Sequence, residues 1–440
     1  LFNCQADGGS LPRIAFHRYP CYCNCIRIRI SDALSLLTNL IMPNPPIESV
    51  PAPLSLRLPP IGLAAVALAA SLGTASLHAQ TPAPQARPTP TTGWQWGAVI
   101  DTAYMGKAVP LGLRDEGVGL GHSDLMARGT LGRHLSGEAI VVASTHEGHL
   151  ERGIEKLFVQ TRTLPAGLQA RAGRFASQVG YLNEQHPHAD DFVERPALYR
   201  AFLGHHYFDD GLRVNWTAPT PFYLQLGAEA FSGRQLSPEG ARRSTNGVTT
   251  LTGKVGSDIG RHHAWQAGAS LLVNRRAAAT EHEAHDDHGP HEEHAHGAVF
   301  SGRRLALFDL AWKWAPNGNA REQQVRVVVE HARLSGLQDA ALAGRQHEAS
   351  SLSLVWRLRP DFEAGVRVDR LRAGYAHDDH FDPARLNEQA VMLAYKPSHK
   401  QTLRLQWTTQ RNAQGFEHVP RQLVSLQYVL AFGAHGAHSF

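Results

Sequence analysis

Two stretches of the chain gather side chains able to hold a cation. Residues 280–297 read TEHEAHDDHGPHEEHAHG: His282, His285, His288, His291 and His294 recur every third position, His296 follows, and Glu281, Glu283, Asp286, Asp287, Glu292 and Glu293 lie between them. Neutral imidazoles suit Zn, Cu or Ni, and the carboxylates offset the charge of the ion. The spacing is not that of a closed four-ligand site, and Gly289-Pro290 interrupts any helix. The segment therefore reads either as a flexible chelator with weak zinc affinity or as a solvated surface loop. The second stretch, 181–210, carries His186, His188, Asp190, Asp191 and Glu194 beside Arg195 and Arg200. His186, His188 and Asp190 could ligate zinc. Opposed acids and bases could instead set a field across a narrow passage, or tie the stretch to its surroundings by salt bridges. His435 and His438 add a minor candidate pair near the C-terminus.

Arginine supplies most of the positive charge, with lysine at six positions. Arg128, Arg171, Arg326, Arg357, Arg359, Arg367 and Arg404 fall on the polar face of the segments described next, together with Glu330, Glu363, Asp369 and Glu388. A ladder of guanidinium groups would favour anions and grip phosphate bidentately. The interleaved acids point the other way, to a salt-bridged wall of weak selectivity.

The elements that must position these groups are strands. From residue 93 onward the chain alternates apolar and polar residues, with no sustained helical period. Leu403, Leu405 and Trp407 alternate with Arg404, Gln406 and Thr408; Leu352, Leu354, Trp356 and Leu358 alternate with Ser351, Ser353, Arg357 and Arg359. Sixteen such segments follow: 93–107, 122–134, 137–147, 152–163, 167–180, 211–218, 222–233, 247–259, 263–275, 299–314, 322–335, 347–359, 362–373, 385–396, 401–411 and 421–433. Their connections alternate long and short, which predicts an all-β fold: a 16-stranded antiparallel transmembrane β-barrel with short periplasmic turns and long extracellular loops. A soluble Greek-key sandwich has no reason to keep that alternation. Trp94, Trp96, Trp216, Trp312, Trp314, Trp356 and Tyr395 suit interfacial girdles.

Composition removes other classes. The chain has 440 residues, 43 Lys+Arg against 39 Asp+Glu and 26 His, so a net charge of +4 spread along its length offers no nucleic-acid footprint. No apolar run is long enough for a spanning helix. G-x-S-x-G, Walker-type and H-E-x-x-H patterns are absent, so no enzyme is predicted and no cofactor is required. All four cysteines lie in the first 25 residues. The first methionine is Met42, and residues 1–41 read as an over-extended stretch. Residues 42–79 end in a positively charged, apolar and then small-residue run, the layout of a secretory signal peptide. The Pro/Thr-rich residues 80–92 form a leader, and the barrel occupies 93–440. Export and the absence of later cysteines fit an envelope protein.

Residues 173–202, GRFASQVGYLNEQHPHADDFVERPALYRAF, with Asp209-Asp210-Gly211 and the C-terminal GAHGAHSF, resemble proteobacterial outer-membrane channels often labelled zinc-regulated outer-membrane receptors or porins, related in architecture to phosphate-selective porins. The resemblance implies a homotrimer in the bacterial outer membrane, surrounded by lipid and lipopolysaccharide. It implies that 181–210, the third long loop, folds inward as the pore constriction, and that the barrel-assembly machinery reads the last strand and Phe440. The Gly/Ala/His tail before Phe440 departs from that pattern. The functions expected are passive uptake of small hydrophilic solutes linked to zinc acquisition, an anion- or phosphate-selective porin, or a non-conducting metal-binding surface scaffold.

Overall fold

The structure is a computed structural model that describes residues 93–237, 247–277, 297–377, 380–416 and 419–433. The expected N-terminal stretch (1–41), signal peptide (42–79) and leader (80–92) lie outside the described residues, as do His282, His285, His288, His291, His294 and His296, and the tail with His435, His438 and Phe440.

The described chain is almost all strand: β1 (Gln95–Met105), β2 (Gly117–Leu120), β3 (Ser123–Leu131), β4 (Leu135–His146), β5 (His149–Thr161), β6 (Leu168–Ala176), β7 (Phe208–Thr217), β8 (Tyr223–Phe231), β9 (Val248–Ile259), β10 (His263–Asn274), β11 (Arg304–Trp314), β12 (Gln324–Ser335), β13 (His347–Arg359), β14 (Phe362–His377), β15 (His380–Ser398), β16 (Gln401–Gln414) and β17 (Gln422–Gly433). β2 and β3 both pair with β1, through Thr102–Met105 and Gln95–Val99, and form one stave interrupted at Gly121 and His122. From β3 onward each strand pairs antiparallel with the next, and β17 returns to β1 with Gly97 opposite Gly433 and Met105 opposite Ser425. Seventeen segments, two of them sharing a stave, close into a sixteen-stave ring. Closure gives every stave a paired neighbour on both sides, which is what a bilayer demands of a sheet.

The alternation read from the sequence sets the polarity of the wall. Leu352, Leu354 and Trp356 on β13, Val366 and Val368 on β14, and Leu403 and Leu405 on β16 are exposed, whereas Arg367, Asp369, Arg404, Gln406 and Thr408 are buried inside. A barrel dissolved in water would invert this, because exposed apolar area costs about 25 cal/mol per Å². An apolar belt around a polar interior belongs in lipid. Exposed Trp96, Trp216, Tyr223, Trp356, Tyr395 and Phe432 gather towards the rim of tight turns, with the rings of Phe362 and Tyr395 4.9 Å apart.

Five expectations are corrected. The connection 374–384 is not a long loop: β14 and β15 continue to His377 opposite His380 as a tall hairpin. The second stave starts at Gly117, and β11 starts at Arg304 instead of 299. Strict alternation fails where β2 gives way to β3 and at a bulge in β5 opposite Ile140 and Val141. The inner wall is also not polar throughout, since Leu305, Leu307, Ala332, Leu334, Ala349, Leu371 and Leu386 face inward and are buried. They line the half of the barrel into which a loop packs.

The lipid-facing assignment predicts a depth dependence. Leu354→Arg, in the middle of the apolar belt, is expected to cost about 2–4 kcal/mol, and Leu135→Arg, at the tight-turn rim, about 0–1 kcal/mol. Urea unfolding from lipid vesicles measures both; equal costs would mean the belt is misplaced.

Candidate functional site: an inward loop and an imidazole–carboxylate cluster

Between β6 and β7, residues 177–207 turn into the barrel. The entry requires Gly180, whose φ is +71° and where a Cβ would stand 2.5 Å from the Tyr199 hydroxyl. A six-residue helix, α1 (Ala197–Phe202), is buried along its whole length. Phe202 and Leu203 pack with Phe175, Tyr207 and the inward leucines of β11, β12 and β14, so the apolar part of the wall is the seat of the loop.

Charged groups bolt the loop around the ring. Glu330 on β12 accepts from the Tyr199 hydroxyl at 2.5 Å and from the Tyr181 N–H at 3.0 Å. Arg200 is fully buried; its guanidinium donates to Glu388 on β15 at 2.8 Å and to the Pro110 carbonyl. Glu388 also takes Arg367, which pairs with Asp369 at 2.7 Å and donates to the Glu194 carbonyl. Glu194 itself lies 3.8 Å from Arg114. Asp191 meets Arg326, and Arg404 donates to Gln427 and to the Asp190 carbonyl. Arg195 closes the loop on itself through Asp190 at 2.7 Å and the carbonyls of Leu182, Gln185 and His205. The seam holds a cavity of about 20 Å³ between Tyr181, Asp191, Arg195, Glu330, Ser351 and Arg367, room for about one water.

Every residue expected at the constriction therefore lies in this inward loop, and the expected wall residues other than Arg359 face the interior. Arg357 pairs with Glu363, which also takes Lys396 at 2.6 Å. Arg128 and Arg171 donate to the side-chain oxygens of Gln95 and Gln160. Arg359 is exposed at a turn and pairs with Asp361.

Of the three loop residues that could ligate zinc, two stand against the wall and one pairs within the loop. Asp190 is committed to Arg195, and His186 and His188 instead meet the wall. Ligand atoms of His122, Asp124, His186 and His188 all lie within 4.8 Å of one another. Asp124 Oδ2 is 3.6 Å from His186 Nδ1 and 3.5 Å from His188 Nδ1. Glu155 adds a second carboxylate, 2.8 Å from His122 Nε2, 3.2 Å from His186 Nδ1 and 3.7 Å from His206 Nδ1. Lys156 Nζ reaches His186 Nε2 at 2.8 Å. Asp124 and Glu155 are 5% and 0% exposed, and neither carboxylate oxygen of Asp124 has a hydrogen-bond partner.

Local irregularity puts these groups together. His122 sits in the interruption of the second stave beside Gly121, over which the Arg114 guanidinium crosses to reach Asp101 at 2.6 Å. Glu155 is the extra residue of the β5 bulge, so it and Lys156 both turn inward. His186 and His188 flank Pro187 in a single 3₁₀ turn, and His206 lies where the loop rejoins the wall. Sequence reading missed His122, Asp124, Glu155 and His206. The available signal was the consecutive buried polar pairs Ser123-Asp124 and Glu155-Lys156, which break the two-residue period.

Burial governs the loop's titration. It pushes His206 down to about 4 despite Glu155, and holds His186 well below the usual imidazole range with Lys156 adding to the effect. Burial raises Asp190 and Glu194 against the pull of Arg195 and Arg114. For Glu184, burial alone would raise the carboxyl, but Arg213, 2.7 Å away, with Lys254 and Arg171, brings it down to about 2.

No family model matches the chain. An uncharacterized protein of Aquifex aeolicus (strain VF5) is 48% identical over 80 residues, 18% of this chain and 17% of that protein, so the chain spans under a fifth of that relative. Among solved structures, an outer-membrane protein OmpT of Vibrio cholerae (trimer form) aligns over 77% of this chain and 98% of its own at 9% identity and a TM-score of 0.48. Pseudomonas putida OprB at high pH aligns over 77% and 94% at 11% identity and 0.49. An anion-selective porin from Comamonas acidovorans aligns over 78% and 99% at 12% identity and 0.48. The class assigned here, a membrane-spanning β-barrel with an inward loop, rests on the chain's own strand pairing and polarity.

Two outcomes follow from the bolting. Glu388→Gln leaves Arg200 and Arg367 buried without their shared carboxylate and is expected to cost about 3–5 kcal/mol. An unchanged urea midpoint and unchanged protease resistance of the loop would show that the bolt does not hold it. Because the Glu184 pKa is depressed, its contribution is present above its unfolded value of about 4.3 and disappears as pH falls through about 2. The stability gap between the native chain and Glu184→Gln should be open at pH 6 and closed at pH 2; a constant gap contradicts the pairing.

Proposed function

We propose that the protein is a porin-like channel of the bacterial outer membrane, passing small hydrophilic solutes by diffusion past the inward loop. The carrying observation is the polarity of the barrel, apolar towards lipid and charged towards the lumen, with a loop of buried charges folded into it. Among the lumen groups, Arg326 and Asp191 keep side-chain exposures of 22% and 19%, so opposite charges border the remaining space. That arrangement supports a transverse field at a constriction. The loop and wall arginines Arg200, Arg326, Arg357 and Arg367 face carboxylates, which favours weak ion selectivity. An anion-selective pore is the second reading: Arg128 and Arg171 bond to glutamines, which leaves their charge uncancelled by those partners.

This reading includes a trimer in contact with lipid and lipopolysaccharide, assembly through the terminal strand and Phe440, and weak zinc capture by 280–297. A non-conducting metal-binding scaffold is the different-class alternative. Purified protein in planar bilayers should give single-channel steps, and their absence would promote the scaffold. Asp191→Ala should shift the reversal potential towards anions and Arg326→Ala towards cations; a strong anion preference in the unmodified chain would select the second reading. Removal of 281–296 should lower zinc capture by the surface loop and leave the steps intact. Loss of the steps, or unchanged zinc binding, would separate that segment from the role given it.

A further inference from the structure

The geometry points to a divalent transition-metal site on the inner wall, formed by His122, Asp124, His186 and His188 with Glu155 and His206 around them, that ties the inward loop to the second stave and β5. The inference goes beyond the channel reading and rests on different residues from the histidine run of 280–297.

Several observations converge on it. Metal–ligand bonds of 2.0–2.1 Å in a tetrahedron place ligand atoms about 3.3 Å apart. Asp124 Oδ2 lies 3.6 and 3.5 Å from the Nδ1 atoms of His186 and His188, near that edge length before any ion draws them together. Asp124 is 5% exposed, yet neither of its carboxylate oxygens has a hydrogen bond, and Glu155, 0% exposed, meets the imidazoles of His122, His186 and His206. A buried carboxylate without hydrogen bonds is expensive, and with a second carboxylate in the same cluster of imidazoles it favours a cation. Lys156 is the ammonium in contact with the cluster, and its bond goes to His186 Nε2 at 2.8 Å. An entering ion would move Lys156 towards Glu138, whose carboxylate lies 3.8 Å away.

The donor set names the class of ion. Imidazole nitrogens with one or two carboxylates suit Zn²⁺ and its neighbours Co²⁺ and Ni²⁺, and offer too few oxygens for Ca²⁺. Glu155, 2.8 Å from His122 Nε2, is placed either as a further ligand or as the carboxylate that orients His122, a common partner of metal-bound histidine. The bond would join points far apart in the chain: the stave interruption, the β5 bulge and the 3₁₀ turn of the loop.

The test uses the full-length protein in detergent, stripped with a chelator and dialysed against Zn²⁺, with Co²⁺ as a spectroscopic probe. The chain should bind at least one Zn²⁺ per barrel that competes with a chelating dye, and Co²⁺ should give visible d–d absorption. Asp124→Asn, nearly isosteric, and His186→Ala should each lose that equivalent or weaken it at least about tenfold. The chain lacking 281–296 should keep it, which separates the site from the histidine run. Heat-modifiable gel mobility verifies that each variant forms a barrel. Unchanged stoichiometry and affinity in both substituted chains, or no bound metal after removal of 281–296, overturns the site. Conductance plays no part in these readouts, so a barrel that binds Zn²⁺ without forming channels would refute the channel and leave the site standing.

Discussion

Closure of the sheet is the constraint on which the rest depends. Once β17 pairs with β1, every stave has two neighbours, and each residue must face either lipid or the lumen. The outer face then has to be apolar, and the polar half of each strand is forced into a confined interior. Charges there cannot all be solvated as on an open surface, so they must find each other. The ion pairs of the wall and the inward loop are both consequences of that crowding.

Opposite charge does the joining at long sequence separations. Tyr181 and Tyr199 converge on Glu330, and Arg200 and Arg367 converge on Glu388. In these bonds one carboxylate serves two donors from different parts of the chain. Buried ion pairs of this sort add less to net stability than their geometry suggests, since desolvation offsets much of the attraction. Their effect is on conformation, because releasing the loop would strand several buried charges together. The apolar seat under α1 supplies the non-directional part of the attachment.

Irregularities in the wall carry the chemistry that the regular strands cannot. A strand with a strict two-residue period can turn only alternate side chains inward. At the stave interruption the adjacent Ser123 and Asp124 are both buried, with His122 beside them, and the bulge turns the adjacent Glu155 and Lys156 inward together. These are the places where local pattern and final structure part company, and they coincide with the cluster of buried carboxylates and imidazoles.

The sequence by itself determined the strand succession, the alternation of lipid-facing and lumen-facing residues, and sixteen staves, because side-chain polarity at period two is a local property. The strand over 347–359 was legible to the residue, as were Leu403 and Leu405 facing out and Arg404 facing in. The content of the inward loop was visible as residue types, but its partners were not. Nothing local connects Arg200 with Glu388, or His186 with His122 and Glu155, since ring closure and the inward fold of 177–207 create those contacts. The tall hairpin of β14 and β15 escaped notice for a related reason: polar residues that read as loop continue a strand when their neighbour offers backbone partners. Tertiary structure alone decided which charges cancel, which remain buried without partners, and therefore where an ion would be held.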